Sequence, residues 1–183
     1  MAVTLHLVRH GRSDWNDAGR LQGQTMHVEL TELGREQARA AARTLGGLPV
    51  VALYSSDLVR AVQTATPIAA GLGVAVRLEP GLREQAYGEL EGVSSAGALA
   101  ATAGLDWADA ELRIGGGESI RDVHTRLGVT LTKIITTHRG GQVVLVSHGD
   151  AIRVALAWLS GYGAHEVPWR DVPNGSISTV EVG

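Results

Sequence analysis

Residues 3–11 read Val3-Thr-Leu-His-Leu-Val-Arg9-His10-Gly11, a short apolar run that stops abruptly at two basic side chains and a glycine. Its length and composition are typical of a buried β-strand. Open α/β sheets bind ligands beyond the carboxyl ends of their parallel strands, so we expect Arg9 and His10 to lie at such an edge. The pattern recurs at Val143-Val-Leu-Val-Ser-His148-Gly149. The sequence therefore predicts two histidines at one edge of a sheet.

Outward from these two runs, the chain alternates predicted strands with predicted helices. Strands are expected at 3–8, 50–54, 74–78, 143–146 and 176–182, and helices at about 31–46, 58–70, 120–135 and 150–159. This alternation predicts an α/β fold, a three-layer α/β/α sandwich around a mostly parallel, doubly wound sheet. We expect a single domain over residues 1–183, with an insertion at about 93–117 lying over the sheet edge.

Composition narrows the classes of function. The chain has 183 residues, a net charge of −3 and no cysteine, and Lys133 is its one lysine. These numbers argue against a nucleic-acid or membrane-binding surface, and they exclude disulfides and thiolate metal sites. No apolar run reaches the roughly 18 residues of a membrane span, and we expect a cytoplasmic protein. The oligomeric state stays open, a homodimer included.

Each of the first four predicted strands is followed by a side chain suited to phosphate chemistry. These are Arg9 with His10, then Arg60, Glu84 and His148. A histidine nitrogen can attack a phosphoryl group, while guanidinium groups and a second imidazole neutralise its oxygens without a metal. A carboxylic acid is needed to protonate the leaving oxygen and then to deprotonate water. Burial would have to raise the pKa of Glu84 for that role.

Several motifs, in chain order, resemble those of the histidine phosphatase superfamily, the phosphoglycerate mutase-like proteins. They are Leu-Val-Arg9-His10-Gly11-Arg-Ser13-Asp-Trp-Asn16, Gly19-Arg20-Leu-Gln22-Gly23, Ser55-Ser-Asp-Leu-Val-Arg60, Leu82-Arg-Glu84, Gly117-Glu118-Ser119 and Val146-Ser147-His148-Gly149. The resemblance runs over nearly the whole chain, which makes it more specific than any single motif.

The resemblance implies a role for each matching residue. His10 would be the phosphorylated residue, Glu84 the acid and base, and Arg9, Arg60 and His148 the phosphate clamp. Other residues would line the phosphate and substrate pocket: Asn16, Gln22, Gly23 and Gly149. It implies a metal-independent phosphomonoesterase acting on a small organic phosphate, without a cofactor. Arg12, where the family usually has an acidic or amide residue, would add positive charge at the rim.

Alternatives remain open on the residues alone. Arg60 could pair with Asp57, and Glu84 could be a solvated loop residue, with Glu79 or Glu91 as rival acids. A mutase or other phosphotransferase is the second hypothesis, but a mutase needs extra cations, and the stretch 93–117 offers only Arg113. A non-catalytic phosphate-binding regulatory module is the third. A two-histidine metal hydrolase is disfavoured because close metal-ligand spacings are missing.

Overall fold

The computed structural model describes all residues from 1 to 183, which form a five-stranded sheet with helices on both faces. The strands are β1 (Val3–Arg9), β2 (Val50–Ser55), β3 (Val76–Leu78), β4 (Gln142–Ser147) and β5 (Ile177–Val182). The helices are α1 (Asp14–Asp17), α2 (Glu32–Leu45), α3 (Val59–Leu72), α4 (Ser95–Ala101), α5 (Ile120–Thr137) and α6 (Gly149–Leu159). None of these helices combines the length and the apolar character needed to cross a bilayer.

The strand order, β3-β2-β4-β1-β5, puts the two strands that end in histidine side by side at the centre of the sheet. β1 and β4 are parallel, with Arg9 opposite Ser147. The backbone amide of His10 then donates to the carbonyl of Ser147 at 3.0 Å. His10 and His148 therefore leave the sheet next to each other. β5 is antiparallel to β1, so it begins at the edge where the other four strands end.

Alternating side chains of β4 separate two hydrophobic clusters, one on each face of the sheet. Val143 and Leu145 belong to the cluster that packs under α5 and α6. Val144 and Val146 belong to the cluster under α2 and α3. A central parallel strand that is apolar on both faces requires a helical layer on each side. The predicted three-layer α/β/α sandwich with a mostly parallel sheet is thus confirmed.

Two predicted boundaries were wrong, because hydrogen bonds place the residues elsewhere. The Ser56 amide donates to the Val146 carbonyl at 2.9 Å and so extends the pairing of β2 with β4. The stretch Ser55–Asp57 does not open α3, which begins at Val59 after Leu58, a residue without a side-chain cap. Strand β3 begins at Val76 rather than at residue 74. The amide of Val74 donates to the Ala69 carbonyl and closes the end of α3, so this residue is not free to pair with β2.

The predicted insertion at 93–117 packs on the loop that follows α1. The amide of Leu21 donates to the Val93 carbonyl at 3.0 Å, and the amide of Ser95 donates to the Gly19 carbonyl at 2.7 Å. Helix α4 and a short 3₁₀ turn at Ile114–Gly116 are its regular elements. These bonds attach the segment to the polar loop that follows the first histidine.

The first turn of α2 touches the backbone that follows His10 through a pair of glycines. A Cβ atom on Gly34 would lie 2.0 Å from the carbonyl oxygen of Arg12, and one on Gly11 would lie 2.2 Å from the carbonyl oxygen of Gly34. Neither position has room for a side chain. This backbone contact holds the His10 loop against α2.

We expect Gly34→Ala to lower the free energy of unfolding by about 2 kcal/mol, because backbone has to move to admit the methyl group. Urea unfolding followed by circular dichroism measures the change. Gly71→Ala is the matched control, since Gly71 is also helical but exposed, with its nearest atom 3.9 Å away. Helix propensity favours alanine there. Equal stability of the two variants would contradict the contact.

Candidate active site

His10 is buried and its imidazole has a defined tautomer. Nδ1 lies 2.7 Å from the carbonyl oxygen of Gly11, which can only accept a hydrogen bond. Nδ1 therefore carries the proton, and Nε2 carries a lone pair whenever the ring is neutral. Burial, followed by the charges of Arg60 and Arg9, holds the pKa of His10 well below its usual value. The neutral, nucleophilic form of this ring is thus the resting form.

His148 faces His10, with the two ring centroids 5.1 Å apart and the ring planes at 58°. Its Nε2 lies 2.8 Å from the hydroxyl of Ser56, which itself accepts from the Leu58 amide. In the tautomer in which this hydroxyl donates to Nε2, the proton of the neutral imidazole lies on Nδ1. Burial and the charge of Arg60 lower the pKa of His148 well below its usual value.

Backbone carbonyls hold two guanidinium groups, that of the buried Arg60 and that of the half-buried Arg9. Arg9 donates from one terminal nitrogen to the Val172 carbonyl at 2.5 Å. Arg60 donates to the carbonyl of Thr25 at 2.9 Å and to that of Gly23 at 2.7 Å. Burial lowers the pKa of Arg60 to about 10, so it stays charged at neutral pH. Carbonyls orient both cations without neutralising them.

Three buried side-chain nitrogens of the chain have no hydrogen-bond partner, and all three belong to this cluster. They are Nε of Arg9, Nε of Arg60 and Nδ1 of His148. An unpartnered buried donor costs about 1–3 kcal/mol, more where the group is charged. Two such donors on cationic groups, with a second imidazole nitrogen beside them and all three around His10, fit an oxyanion with several acceptor oxygens. A phosphoryl group has this chemistry.

Glu84 is buried at the amino end of α6, where backbone amides hold its carboxyl group. Oε1 accepts from the amides of Gln85 (3.0 Å) and Ala151 (2.9 Å), and Oε2 accepts from the amide of Asp150 (3.2 Å). Burial and the neighbouring carboxylate of Asp150 raise the pKa of Glu84, although these three bonds favour the charged form. A raised pKa is what a general acid near neutrality requires.

The other predicted pocket residues brace this cluster. Asn16 Oδ1 accepts from the Ser13 backbone amide at 3.1 Å, and the Ser13 hydroxyl donates to Gln22 Oε1 at 2.8 Å. The carbonyl of Gly23 holds Arg60, as described above. Gly149 begins α6, and a Cβ atom there would lie 3.5 Å from Arg9 Cζ. All these residues lie at the edge where the parallel strands end.

A comparison of the chain with family models matches residues 5–183 to the histidine phosphatase superfamily, branch 1. The chain belongs to the histidine phosphatase superfamily. The suspected resemblance is thereby confirmed.

Named relatives of this histidine phosphatase include both phosphatases and mutases. The glucosyl-3-phosphoglycerate phosphatase of Mycobacterium tuberculosis is 39% identical over 169 residues, covering 86% of this chain and 75% of that protein. A probable phosphoglycerate mutase of Photorhabdus laumondii is 35% identical over 184 residues, covering 98% and 85%. A mycobacterial glucosyl-3-phosphoglycerate phosphatase solved with VO3 superposes with a TM-score of 0.89 at 36% identity, covering 96% and 90%.

Two alternatives that the sequence left open in this histidine phosphatase are wrong. Arg60 does not pair with Asp57, because the carboxylate of Asp57 is bound by the guanidinium of Arg83. Glu84 is not a solvated loop residue, since only 9% of it is exposed. Arg12, predicted to add charge at the rim, is paired with Asp17.

The sequence did not single out three residues that shape the site. Ser56 follows β2 and orients His148. Asn174, in the turn before β5, donates from Nδ2 to the His10 carbonyl at 3.1 Å and to Asn16 Oδ1 at 3.2 Å. The carboxylate of Asp150 accepts from the hydroxyl of Tyr87. The placement of Asn174 follows from the antiparallel pairing of β5. No group of three or more His, Asp or Glu side chains is spaced to hold a metal ion.

Proposed function

We propose that this histidine phosphatase hydrolyses small organic phosphate monoesters through a covalent intermediate on His10, without a metal. The single observation that carries the proposal is the set of three unpartnered buried nitrogens, two of them guanidinium donors, around the neutral imidazole of His10. Arg9, Arg60 and His148 bind the phosphoryl oxygens, and Glu84 handles the protons. We also infer a cytoplasmic enzyme, with a homodimer as its candidate assembly.

In the first step, Nε2 of His10 forms a bond to phosphorus while the bond from phosphorus to the ester oxygen breaks. The proton of Glu84 passes to that oxygen, and the alcohol leaves. The carbonyl of Gly11 holds Nδ1–H and stabilises the positive charge that the ring gains. Arg9, Arg60 and His148 donate to the oxygens on which negative charge is spread.

In the second step, water attacks phosphorus and the bond from phosphorus to Nε2 breaks. Glu84, now a carboxylate, takes the proton of the water, and inorganic phosphate leaves. Glu84 and His10 are thereby returned to their starting protonation states. The same carboxyl group serves as acid and then as base because it adjoins the face from which the alcohol leaves and the water enters.

Trapping of the phosphoenzyme tests this pathway. We expect enzyme mixed with radiolabelled substrate and quenched in alkali to carry label that alkali preserves and acid removes, as for phosphohistidine. Digestion and mass spectrometry should place the label in the peptide that contains His10. A label on any other residue, or turnover abolished by a chelator, would overturn the proposal.

The ion pairs around the site favour hydrolysis over mutase chemistry. A mutase must retain a phosphorylated, carboxylated intermediate, which calls for free cations beyond the clamp. Here Arg83 is bound by Asp57, Arg113 by Asp122 and Arg153 by Asp150. We therefore expect phosphate release from 3-phosphoglycerate to exceed its isomerisation in a coupled assay.

Asp150→Asn should change the pH dependence of the reaction. The Asp150 carboxylate raises the pKa of Glu84, so its neutralisation should lower that pKa. The acid must be protonated in the first step, and kcat/KM for alkyl phosphates therefore falls as pH rises through the Glu84 pKa. We expect this basic limb to move to lower pH in Asp150→Asn. An unchanged basic limb of the kcat/KM profile would show that Glu84 is not the general acid.

A further inference from the structure

An open cavity of about 710 Å³ lies beside two residues that contact Glu84, while Glu84 itself and the residues that bind the phosphoryl group do not line it. Its walls come from the insertion at 93–117, from the start of α6 and from the loop at 164–169. Gln85, which follows Glu84 in the chain, and Asp150, whose amide donates to Glu84, both line it. The volume is within the range of pockets that enclose small molecules, about 300–1,000 Å³.

The wall of this cavity is mainly apolar. Hydrophobic residues make up 15 of the 23 that line it, and the insertion contributes Ala98, Leu99, Leu112 and Ile114. Trp107 adds an aromatic ring to the same wall. Burial of apolar surface stabilises a ligand by roughly 25 cal/mol per Å². The cavity therefore favours an apolar group over a hydrated one.

Arg153 is the one lysine or arginine in the wall, and its guanidinium is already bound by other groups of the protein. Its guanidinium is paired with Asp150, its Nε donates to the Arg170 carbonyl at 2.7 Å, and its Cζ lies 4.0 Å from the centre of the Trp169 ring. Asp109 is a further acidic residue of the wall. A ligand carboxylate would lose hydration here and meet no free cation, which costs binding energy.

We propose that the alcohol part of the natural substrate is an apolar or aromatic group that binds in this cavity. The inference rests on the proposed function, because the general acid must contact the leaving oxygen and the alcohol must therefore lie on the Glu84 side. A ring of one or two cycles fits the volume. Carboxylated esters such as phosphoglycerates and phosphoserine are disfavoured.

Matched aryl esters test the proposal on the wild-type enzyme. Phenyl phosphate, 2-naphthyl phosphate and 4-(carboxymethyl)phenyl phosphate have leaving groups of similar acidity, so their values of kcat/KM differ mainly through binding of the alcohol. We expect the naphthyl ester to exceed the carboxylated ester by about tenfold or more. Equal values, or a preference for the carboxylated ester, would overturn the proposal.

A cation placed in the wall should reverse this selectivity. We expect Leu99→Arg to lower kcat/KM for 2-naphthyl phosphate about tenfold and to raise it for the carboxylated ester. Val129→Arg on α5 is the matched control, since Leu99 and Val129 are both 69% exposed and Val129 does not line this cavity. Leu112→Arg repeats the test from another part of the wall.

The outcomes separate this inference from the function on which it rests. If methyl and phenyl phosphates are hydrolysed but the arginine variants change all esters alike, the cavity does not bind the alcohol and the hydrolase proposal stands. If the wild-type enzyme hydrolyses no ester, both proposals fall.

Discussion

His10→Ala should lower kcat for phosphate esters on the order of 10⁵-fold, to the background of the assay. The variant keeps the two guanidinium groups and His148 but has no nitrogen to accept the phosphoryl group, so the covalent step is lost. Phosphate release measured over hours, with a substrate that the wild-type enzyme hydrolyses in seconds, gives the required range. No label should be trapped on the variant.

The control for this experiment is His138→Ala. His138 follows the last turn of α5 and bonds the hydroxyl of Tyr54, far from the edge that carries His10. We expect near wild-type kcat. Binding of orthovanadate, measured as protection of the protein against heat, should persist in His10→Ala, since the three unpartnered nitrogens remain. Turnover by His10→Ala within tenfold of the wild type would exclude His10 as the nucleophile.

Glu84→Gln should lower kcat/KM for alkyl phosphates by about 10²–10⁴-fold, because the leaving oxygen then departs without a proton. 4-Nitrophenyl phosphate has a leaving group that needs little protonation, so its first step should be affected far less. The second step still lacks a base. We expect a rapid release of nitrophenolate equal to the enzyme concentration, followed by slow turnover, in a stopped-flow trace.

Glu79→Gln is the matched control, since Glu79 is one of the two rival acids that the sequence offers. Its carboxylate caps the 3₁₀ turn at Pro80–Leu82 by accepting from the Gly81 amide, and it lies near Lys133. We expect this variant to treat both classes of ester as the wild type does. If Glu84→Gln lost the same factor with nitrophenyl and alkyl esters, a role in binding would replace the role in proton transfer.

The three-layer fold and the gathering of the site residues at one edge of the sheet could be predicted from the sequence, because both depend on where the strands end. One apolar run stops at Arg9 and His10, and another stops at His148. If the two strands are parallel, these side chains lie at the same edge of the sheet. His10 and His148 are neighbours because β1 pairs with β4 and Arg9 lies opposite Ser147. Residues that are fixed by backbone register can thus be read from a periodic pattern.

Contacts between loops could not be predicted in the same way. Asn174 sits in a turn that the sequence marks only as a turn, and its bond to the His10 carbonyl depends on β5 running antiparallel. The pairing of Asp57 with Arg83 joins residues 26 positions apart and prevents the short-range pair with Arg60. Which loop residues bond to one another in a site depends on choices between chemically similar partners, and the sequence pattern does not reveal those choices.

The unpartnered Nε donors of Arg9 and Arg60 have a consequence for the enzyme between turnovers. Like charges held away from water oppose the native state, and any oxyanion that satisfies their free Nε donors offsets that penalty. Orthophosphate, the released product, is such an ion. At a free concentration 100 times its dissociation constant, orthophosphate would add about 2.7 kcal/mol to the free energy of unfolding. At the same concentration it would slow catalysis by product inhibition. A higher phosphate concentration would therefore raise the stability of the enzyme and lower its rate of turnover.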